Sequence, residues 1–480
     1  MFRVAAQGGQ GQIHTLLCAM LVDNAFKETA LKGIYMFSIQ GKHTTANIMI
    51  DQLDQETTRL ISTMVNHPAF TEDIAIMPDA HAGKGSCIGF TMPLSSHVVP
   101  NVIGVDINCG MLSLDFGGIN YDPEEADKII REKVPFGASV HERPIFNMED
   151  FPWDTLYKRC AMIRWHLQHS GLFGDVQDIP IPDFGPKWFE DKCCQILCFP
   201  KRALASIGTL GGGNHFIEAS KSANTGSLWI TIHTGSRNLG KCICEFWQNR
   251  AAHTLQAHRQ NAFEKGVEQI KNNTQDKAKI PEKIKALKKE TGDTKGVSIK
   301  GMEWLQNPED VLGYLFDMSF AQMYADLNRE MIARQICKAL QVQAQDRIET
   351  RHNFIDFDSS RFMIRKGAVR ANLGERMIVP FNMRDGILVC QGKSNKEWNF
   401  SAPHGAGRIK SRSKAKETNS LSDYEGQMRS KGIYSTSVCQ ATLDEAPDSY
   451  KDPKIIEEAI HPTAEIVDRL IPVHNMKAKK

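Results

Sequence analysis

The sequence predicts an α+β fold: a single large domain in which β-sheets meet at a central cleft and helices lie on the outside. Two observations favour this class. Strand-like and helix-like segments do not alternate regularly enough for a doubly wound parallel sheet, and no GxxxxGK[ST] loop is present in the sequence. The 480 residues are enough to bury a large core without disulfides or metal ions.

The composition is that of an ordinary globular protein, with 41% hydrophobic and 24% charged residues. The formal net charge of +2 excludes a global basic field, so a nucleic-acid site must come from local clusters of Lys and Arg. The 12 cysteines do not form a compact framework of the kind found in small secreted proteins. This favours a reducing, cytoplasmic environment.

The first 35 residues differ from the rest of the chain. Their apolar run, residues 16–22, is too short to cross a membrane. A basic n-region and a small-residue cleavage site are missing from the sequence of this segment. We therefore expect no membrane contact. We expect residues 1–35 to be a disordered extension or a mis-assigned start, and residues 36–480 to form the domain.

Periodicity predicts the first elements of the domain. Residues 51–65 are predicted to form a helix that precedes a strand at residues 74–77. Residues 98–105 and 111–115 are predicted to form short strands on either side of a turn.

A helix is then predicted over residues 122–133, with Asp122 as N-cap and Pro123 at the first helical position. Residues 153–169 have helical periodicity, and the stretch at 171–190 is rich in Pro, Gly and Asp and is expected to be a loop.

The second half alternates between long helices and clustered strands. A buried strand is predicted at residues 228–233, followed by a helix at 239–268 and an amphipathic helix at 312–340. Residues 362–390 are predicted to form strands separated by turns.

Two segments are basic. Residues 265–300 are rich in lysine, which favours a solvated helical insertion over an RNA-binding arm. Basic residues also alternate at 409–417, where phosphate contact and a solvated surface are both compatible with the pattern.

The segment Ser401-Ala402-Pro403-His404-Gly405-Ala406-Gly407-Arg408 places a histidine before three small residues. Backbone N–H groups in such a loop can approach an anion closely. The histidine could therefore attack phosphorus and carry a phosphoryl or nucleotidyl group. A glycine-rich turn beside a buried histidine is the alternative.

Four further motifs carry possible metal ligands. They contain Asp106 and Cys109, His215, His233, and His352. Carboxylate, thiolate and imidazole form a mixed set that suits transition metals, and a thiolate can bridge two ions. The alternative for each is a small core cysteine or a structural histidine.

With His404, these motifs resemble the RtcB family of RNA-splicing ligases in identity and order. The resemblance includes residues 77–85 (Met-Pro-Asp-Ala-His-Ala-Gly-Lys-Gly), 208–213 and 365–368, and covers roughly residues 36–477. Met36 begins a segment that fits a natural start for the family.

The resemblance implies a GTP- and Mn²⁺-dependent enzyme that joins RNA 3′-phosphate or 2′,3′-cyclic phosphate ends to 5′-hydroxyl ends, in tRNA splicing or RNA repair. It implies a histidine–GMP intermediate on His404. It also implies two Mn²⁺ per subunit, with Cys109 as the bridging ligand. The implied metal ligands are Asp106, Cys109, His215, His233 and His352.

The resemblance also implies a set of positions that contact the nucleotide. They are Asn214, Glu218, Asn353, Pro380, Asn382, Met383, Gly405, Ala406, Gly407 and Lys477. From its chemistry, Asp79 could orient His404 through a hydrogen bond. A turn aspartate is the alternative.

Two departures from the family pattern surround the nucleotide positions. Residues 380–383 are Pro-Phe-Asn-Met instead of Pro-Gly-Ser-Met, and Ala402-Pro403 replaces Ser or Cys followed by Ser. They indicate a divergent branch. They also leave open a metal-dependent cyclic phosphodiesterase or nucleotidyltransferase with another substrate, or a non-catalytic RNA- or partner-binding module. An activating protein partner, the RNA substrate and the oligomeric state are not indicated by the sequence.

Overall fold

The structure, a computed structural model, describes residues 29–31, 34–83, 85–293 and 300–479. Most of the proposed extension at residues 1–35 therefore lies outside the described residues. Its described part forms the short strand Thr29–Leu31, which pairs antiparallel with Ile34–Gln40.

The described strands form two seven-stranded sheets and a two-stranded ribbon. The first sheet has the order β1-β2-β3-β4-β5-β11-β10, and β3–β4 is its parallel pair. Its strands are β1 (Thr29–Leu31), β2 (Ile34–Gln40), β3 (Thr45–Ile48), β4 (Ile74–His81), β5 (Ile88–Pro93), β10 (Phe354–Asp356) and β11 (Met363–Lys366).

The second sheet has the order β13-β14-β16-β7-β8-β6-β9 and is antiparallel throughout. Its strands are β6 (Gly110–Asp115), β7 (Phe216–Ser222), β8 (Leu228–Thr234), β9 (Asp346–Arg351), β13 (Arg376–Pro380), β14 (Ile387–Gly392) and β16 (Ala464–Met476). The ribbon pairs β12 (Ala368–Arg370) with β15 (Ser401–Pro403).

Helices connect and flank the sheets. They are α1 (Gln55–Val65), α2 (Pro100–Ile103), α3 (Pro123–Lys133), α4 (Trp153–Ser170), α5 (Pro186–Gln195), α6 (Pro200–Ala205), α7 (Arg237–Asn273), α8 (Ile280–Asp293), α9 (Pro308–Leu340), α10 (Arg412–Thr418), α11 (Leu421–Ser430) and α12 (Pro453–Ala459). This mixture of helices and sheets in one domain confirms the predicted α+β class.

Local sequence explains where several elements begin. The Asp122 carboxylate accepts hydrogen bonds from the N–H groups of Glu124 and Glu125, and Pro123 starts α3 as predicted. The strand predicted at residues 98–105 is wrong, because Pro100 begins the short helix α2 there and Gly104 ends it with φ of 112°.

The loop predicted at residues 171–190 is too long, because Pro186 starts α5 at its first helical position. The lysine-rich segment contains the end of α7 and α8, and the Lys283 Nζ donates to Thr274 Oγ1 at 3.2 Å between them. No helix among the described residues is both long enough and apolar enough to cross a membrane.

The helix α9 is the central support of the fold. It buries side chains on all faces over most of its 33 residues, and its C-terminal half packs on the second sheet, where Ile332 and Ile336 join Leu112 and Ile230 in one core. The ends of β4, β8, β13 and β15 open onto one cavity of about 540 Å³.

Candidate metal and nucleotide site

The turn before β6 carries the first two proposed ligands. Its backbone is fixed by Asn108, a non-glycine residue with φ of 55°, and by a hydrogen bond from Cys109 N–H to the Asp106 carbonyl at 3.2 Å. The N–H of His352, directly after β9, donates to the Cys109 carbonyl at 2.8 Å. Two ligand-bearing segments therefore meet through their backbones.

The five proposed ligands lie close together at one side of the cavity, where His233 and His352 form part of its lining. The Cys109 Sγ lies 3.5 Å from His215 Nε2 and 3.2 Å from His233 Nε2. The His233 and His352 Nε2 atoms are 3.4 Å apart, and His215 Nε2 is 2.9 Å from Asp106 Oδ2. Two ligand groups result, and Cys109 belongs to both.

The protonation of these side chains suits metal binding. His215 Nδ1 lies 2.9 Å from the Leu210 carbonyl, which can only accept, so Nδ1 carries a proton and the ring is oriented with Nε2 toward Asp106 and Cys109. Burial and neighbouring histidines hold the pKa of His233 and His352 well below the usual value, so both are neutral. Burial opposes ionisation of Asp106, but the His215 hydrogen bond keeps the pKa of that carboxyl lowered.

Cys109 differs from these side chains, because its thiol must lose a proton before it can bind a metal ion. Burial, with the adjacent Asp106 carboxylate, raises the pKa of its thiol well above the usual value. Bound divalent cations deprotonate coordinating thiols, and imidazole lone pairs facing one another favour a cation between them. The two ligand groups, which have Cys109 in common, are therefore a candidate site for transition-metal ions.

Two neighbouring residues of α9 brace the ligand segments. Arg329 is completely buried and donates through Nη1 to the Asn108 carbonyl at 2.8 Å and to the Thr234 carbonyl at 3.0 Å. Asn328 bonds to the Thr209 backbone on one side and to Thr234 Oγ1 on the other. The turn before β6, the end of β8 and the loop before β7 are thus fixed to one helix.

His404 lies beside this cluster, at the end of β15. Its ring centre is 4.9 Å from that of His352. Its Nδ1 is 2.5 Å from Asp79 Oδ2, and its backbone N–H donates to the same oxygen at 3.0 Å. Because a carboxylate accepts, Nδ1 carries the proton and Nε2 has a free lone pair. The Asp79 side chain is completely buried, whereas that of His404 is 20% exposed.

The positions assigned to the nucleotide by resemblance line the cavity next to His404. They are Asn214, Glu218, Asn353, Pro380, Asn382, Met383, Gly405, Ala406, Gly407 and Lys477. Gly407 has φ of 76°, and a Cβ there would collide with the Asp79 carbonyl. This close approach accounts for the glycine after Ala406.

Several of these side chains are already engaged with protein atoms. Asn353 accepts from the Gly367 N–H at 2.9 Å, and the amide of Asn382 donates to Asp385 at 2.7 Å. The Lys477 ammonium, 3% exposed, lies 3.1 Å from Glu445 Oε2 and 3.2 Å from the Asn214 carbonyl. The cavity wall is therefore held in place by its own contacts.

Comparison with known proteins now identifies the family. A family model described as tRNA-splicing ligase RtcB matches residues 61–478. The chain belongs to the RtcB family. RNA-splicing ligase RtcB of Escherichia coli strain K12 is 28% identical over 428 residues, covering 85% of this chain and 90% of that protein. The tRNA-splicing ligases RtcB of Aeropyrum pernix and Nanoarchaeum equitans are 24% and 26% identical, covering 89% of this chain and 92% and 93% of theirs.

The structure also places in the cavity residues that sequence reasoning missed. Tyr450 donates to Glu445 Oε2 at 2.8 Å, and the Arg408 guanidinium stacks over the Tyr450 ring at 4.9 Å. Burial opposes ionisation of Glu445, but Lys477, Arg412 and Arg408 hold the pKa of that carboxyl at about 2. Glu445 and Tyr450 lie at the ends of the short 3₁₀ helices Gln440–Glu445 and Pro447–Ser449, which are too short to leave a periodic pattern in the sequence.

His81 is a further missed residue. It lines the cavity, and its Nδ1 lies 2.9 Å from the Asp79 carbonyl. Burial lowers the pKa of His81 to about 4, so it is neutral at pH 7. A motif signal existed, because His81 is part of the Asp79-Ala80-His81 segment that carries the family resemblance.

Proposed function

We propose that this RtcB-family protein is an RNA ligase that uses GTP and Mn²⁺ to join a 3′-phosphate or 2′,3′-cyclic phosphate end to a 5′-hydroxyl end. The observation that carries the proposal is the placement of His404. Its Nδ1 is held by Asp79 at 2.5 Å, and its ring lies 4.9 Å from a proposed metal ligand. An imidazole with a fixed tautomer and a free Nε2 is a competent nucleophile.

Asp106, Cys109, His215, His233 and His352 would hold two Mn²⁺ ions, with Cys109 in both coordination spheres. Such ions neutralise charge on a triphosphate and orient in-line displacement when they are bound. The protein supplies three imidazoles, a carboxylate and a thiol at short separations. A reducing cytoplasm keeps the thiol available as a ligand.

In the proposed reaction His404 Nε2 attacks the α-phosphorus of GTP, the bond to the β-phosphate oxygen breaks, and pyrophosphate leaves. The 3′-phosphate of one RNA strand then takes GMP from His404, which restores the imidazole. The 5′-hydroxyl of the second strand attacks this activated phosphorus, and GMP leaves as the phosphodiester forms. A 2′,3′-cyclic phosphate must first be opened by hydrolysis.

The remaining cavity residues would bind and position the nucleotide. Gly405, Ala406 and Gly407 offer backbone groups beside His404, and Lys477 with Glu218 lies deeper in the wall. Asp79 would keep the proton on Nδ1 while Nε2 forms and breaks its bond to phosphorus. The cationic side chains of Arg408, Lys410 and Arg412 line the same cavity, where RNA phosphates can approach.

A second function has one specific observation in its favour. Phe381 is 4% exposed and packs in the core cluster that contains Val379 and Leu388, in place of the family glycine. A bulky residue at this wall changes the space for a purine. This favours, as the alternative, a cyclic phosphodiesterase or nucleotidyltransferase with another nucleotide.

The test is a joining assay with two RNA strands, one ending in a 3′-phosphate and one beginning with a 5′-hydroxyl. With GTP and Mn²⁺ we expect a joined product that is lost in His404→Ala. His97→Ala is the control, since His97 is also partly buried but does not line the cavity. Opening of cyclic phosphates without joining, or equal joining with ATP, would favour the alternative function.

A further inference from the structure

A second group of sulfur atoms lies outside the cleft. Cys193 is in the last turn of α5, Cys198 follows that helix, and Cys242 is in the second turn of α7. The Cys198 thiol lies close enough to the thiols of both Cys193 and Cys242 for each to influence its pKa. None of these three residues lines the cavity beside His404.

The contact between Cys193 and Cys198 follows from the way α5 ends. Leu197 adopts a left-handed conformation with φ of 57°. The Cys198 N–H donates to the Cys193 carbonyl at 2.8 Å, and the Leu197 N–H donates to the Cys194 carbonyl at 3.2 Å. This is the Schellman ending of a helix, in which the last residue of the motif packs on the final turn. The Cys193–Cys198 pair therefore needs no other explanation.

The approach of Cys242 is not dictated by that turn. Cys242 is brought by α7, and Asn238, four residues earlier on the same face, places its Nδ2 3.3 Å from Cys242 Sγ and 3.9 Å from Cys198 Sγ. One amide group thus contacts both sulfurs. Cys193 and Cys198 are 0% and 4% exposed, whereas Cys242 is half-buried. Solvent reaches the trio through Cys242.

We propose that Cys198 and Cys242 form a reversible disulfide when the protein encounters a peroxide. Hydrogen peroxide oxidises the accessible Cys242 thiol to a sulfenic acid and releases one water. The Cys198 sulfur then attacks the Cys242 sulfur, the S–O bond breaks, and the hydroxyl leaves with the Cys198 proton as a second water. Two thiols lose two electrons, and one peroxide becomes two waters.

This site is distinct from the metal-ligand cysteine. Oxidation of Cys109 would destroy a ligand, whereas a Cys198–Cys242 bond would link two segments that lead to ligands. Cys198 precedes α6 and the loop that carries His215, and α7 begins beside Ser236, whose N–H donates to Asp106 at 3.1 Å. The disulfide would therefore connect these segments without consuming a ligand.

The reaction rate is expected to depend strongly on pH. The Cys193 hydrogen bond is the largest cause that raises the pKa of the Cys198 thiol to about 11, and the Cys198 contact raises the pKa of Cys242 as well. The thiolate is the reactive form. Because both pKa values are raised, little thiolate is present near neutral pH, and cross-linking should be faster at pH 9 than at pH 7.

The test exposes the folded full-length protein to hydrogen peroxide at pH 8, blocks remaining thiols by alkylation and maps peptides without reduction. We expect a Cys198–Cys242 peptide pair that dithiothreitol reverses. Cys242→Ser should abolish it, while Cys194→Ser should retain it, because Cys194 is an exposed neighbour outside the trio. Failure of wild type and Cys194→Ser to form this pair while other thiols are oxidised would overturn the proposal. So would a Cys193–Cys198 pair formed in its place.

Discussion

The proposed metal-ligand cluster and the proposed nucleotide wall share one cleft but are built differently. The cluster takes its atoms from segments at strand ends of one sheet, and Asn328 and Arg329 of α9 brace those segments from behind. The wall at residues 380–383 is a turn at the edge of the cleft. There the Asn382 side chain accepts from the Arg384 and Asp385 N–H groups at 2.9 and 3.1 Å.

The difference shows which part of the site tolerates change. Replacing one ligand leaves the other donors of the cluster converging on an incomplete cation site, so each substitution there has a large cost. The wall satisfies its own hydrogen bonds locally. Residues 380–383 can therefore depart from the pattern that the resemblance implies, while the five proposed ligands and His404 follow it. Nucleotide preference should vary more easily than the chemistry.

The largest effect should come from the shared ligand. Cys109→Ala removes a donor common to both ligand groups, so binding of both metal ions should weaken by more than about 100-fold, since even hydrogen-bond partners of a ligand can change affinity 10- to 100-fold. Asp106→Asn should mainly affect one ion. Metal content after dialysis measures both, and Cys160→Ala, a buried cysteine of α4, is the control. Full metal content in Cys109→Ala would show that the Cys109 thiolate is not a metal ligand.

The bracing of the cluster can be tested on α9 itself. Arg329→Met leaves the Asn108 and Thr234 carbonyls without their buried donor and removes one of the two ion pairs of Asp326, so the free energy of unfolding should fall by about 3–5 kcal/mol. Arg334→Met on the same helix removes an exposed ion pair with Glu330 and should cost at most about 1 kcal/mol. Urea unfolding measures both changes. Equal costs would contradict the bracing role.

Glu218, which lies on β7 and lines the cavity, makes the stability of the protein depend on pH. Burial raises the pKa of its carboxyl to about 8 from an ordinary value of 4.5, although Ser220 and Asn475 donate to it. The folded state then binds the proton more tightly than the unfolded state. The free energy of unfolding should therefore fall as pH rises from about 4.5 to 8, by at most about 1.4 kcal/mol per pH unit from this group. Glu218→Gln should flatten this decline in urea unfolding, and an unchanged slope would refute the assignment.

The smallest effect should come from restoring the family residue at the wall. Asn382→Ser removes the amide that bonds Asp385 and should change the KM for GTP by no more than about tenfold, equivalent to about 1.4 kcal/mol. Metal content should not change. Loss of metal in this variant would show that wall and cluster are not independent.

Sequence alone predicted the parts of this fold that depend on local patterns. The start of α3 was predicted from its cap and proline, and the end of β8 near His233 from its apolar run. The strand at residues 98–105 was wrong because its apolar residues are buried in a short helix and irregular segments, which period-2 reasoning cannot distinguish.

The supports of the site could not be predicted for a different reason. Asn328 and Arg329 are polar residues in a long helix, a pattern that indicates a solvent face, yet both are completely buried. Their partners on the three ligand segments are 93 to 221 positions away in sequence. Only the folded arrangement brings a helix of this kind against three ligand segments. The sequence motifs identified the candidate reactive groups, whereas the residues that hold those groups in place, such as Asn328 and Arg329, are brought there by tertiary packing.

The most direct test of the account is to incubate the protein with Mn²⁺ and GTP labelled at the α-phosphate, and to measure label that stays with the denatured chain. We predict an acid-labile adduct that forms with GTP in preference to ATP, maps to His404 and is absent in His404→Ala. Protein that holds its metal ions but gains no label from GTP would contradict the central claim that His404 is the nucleophile of a GTP-dependent ligase.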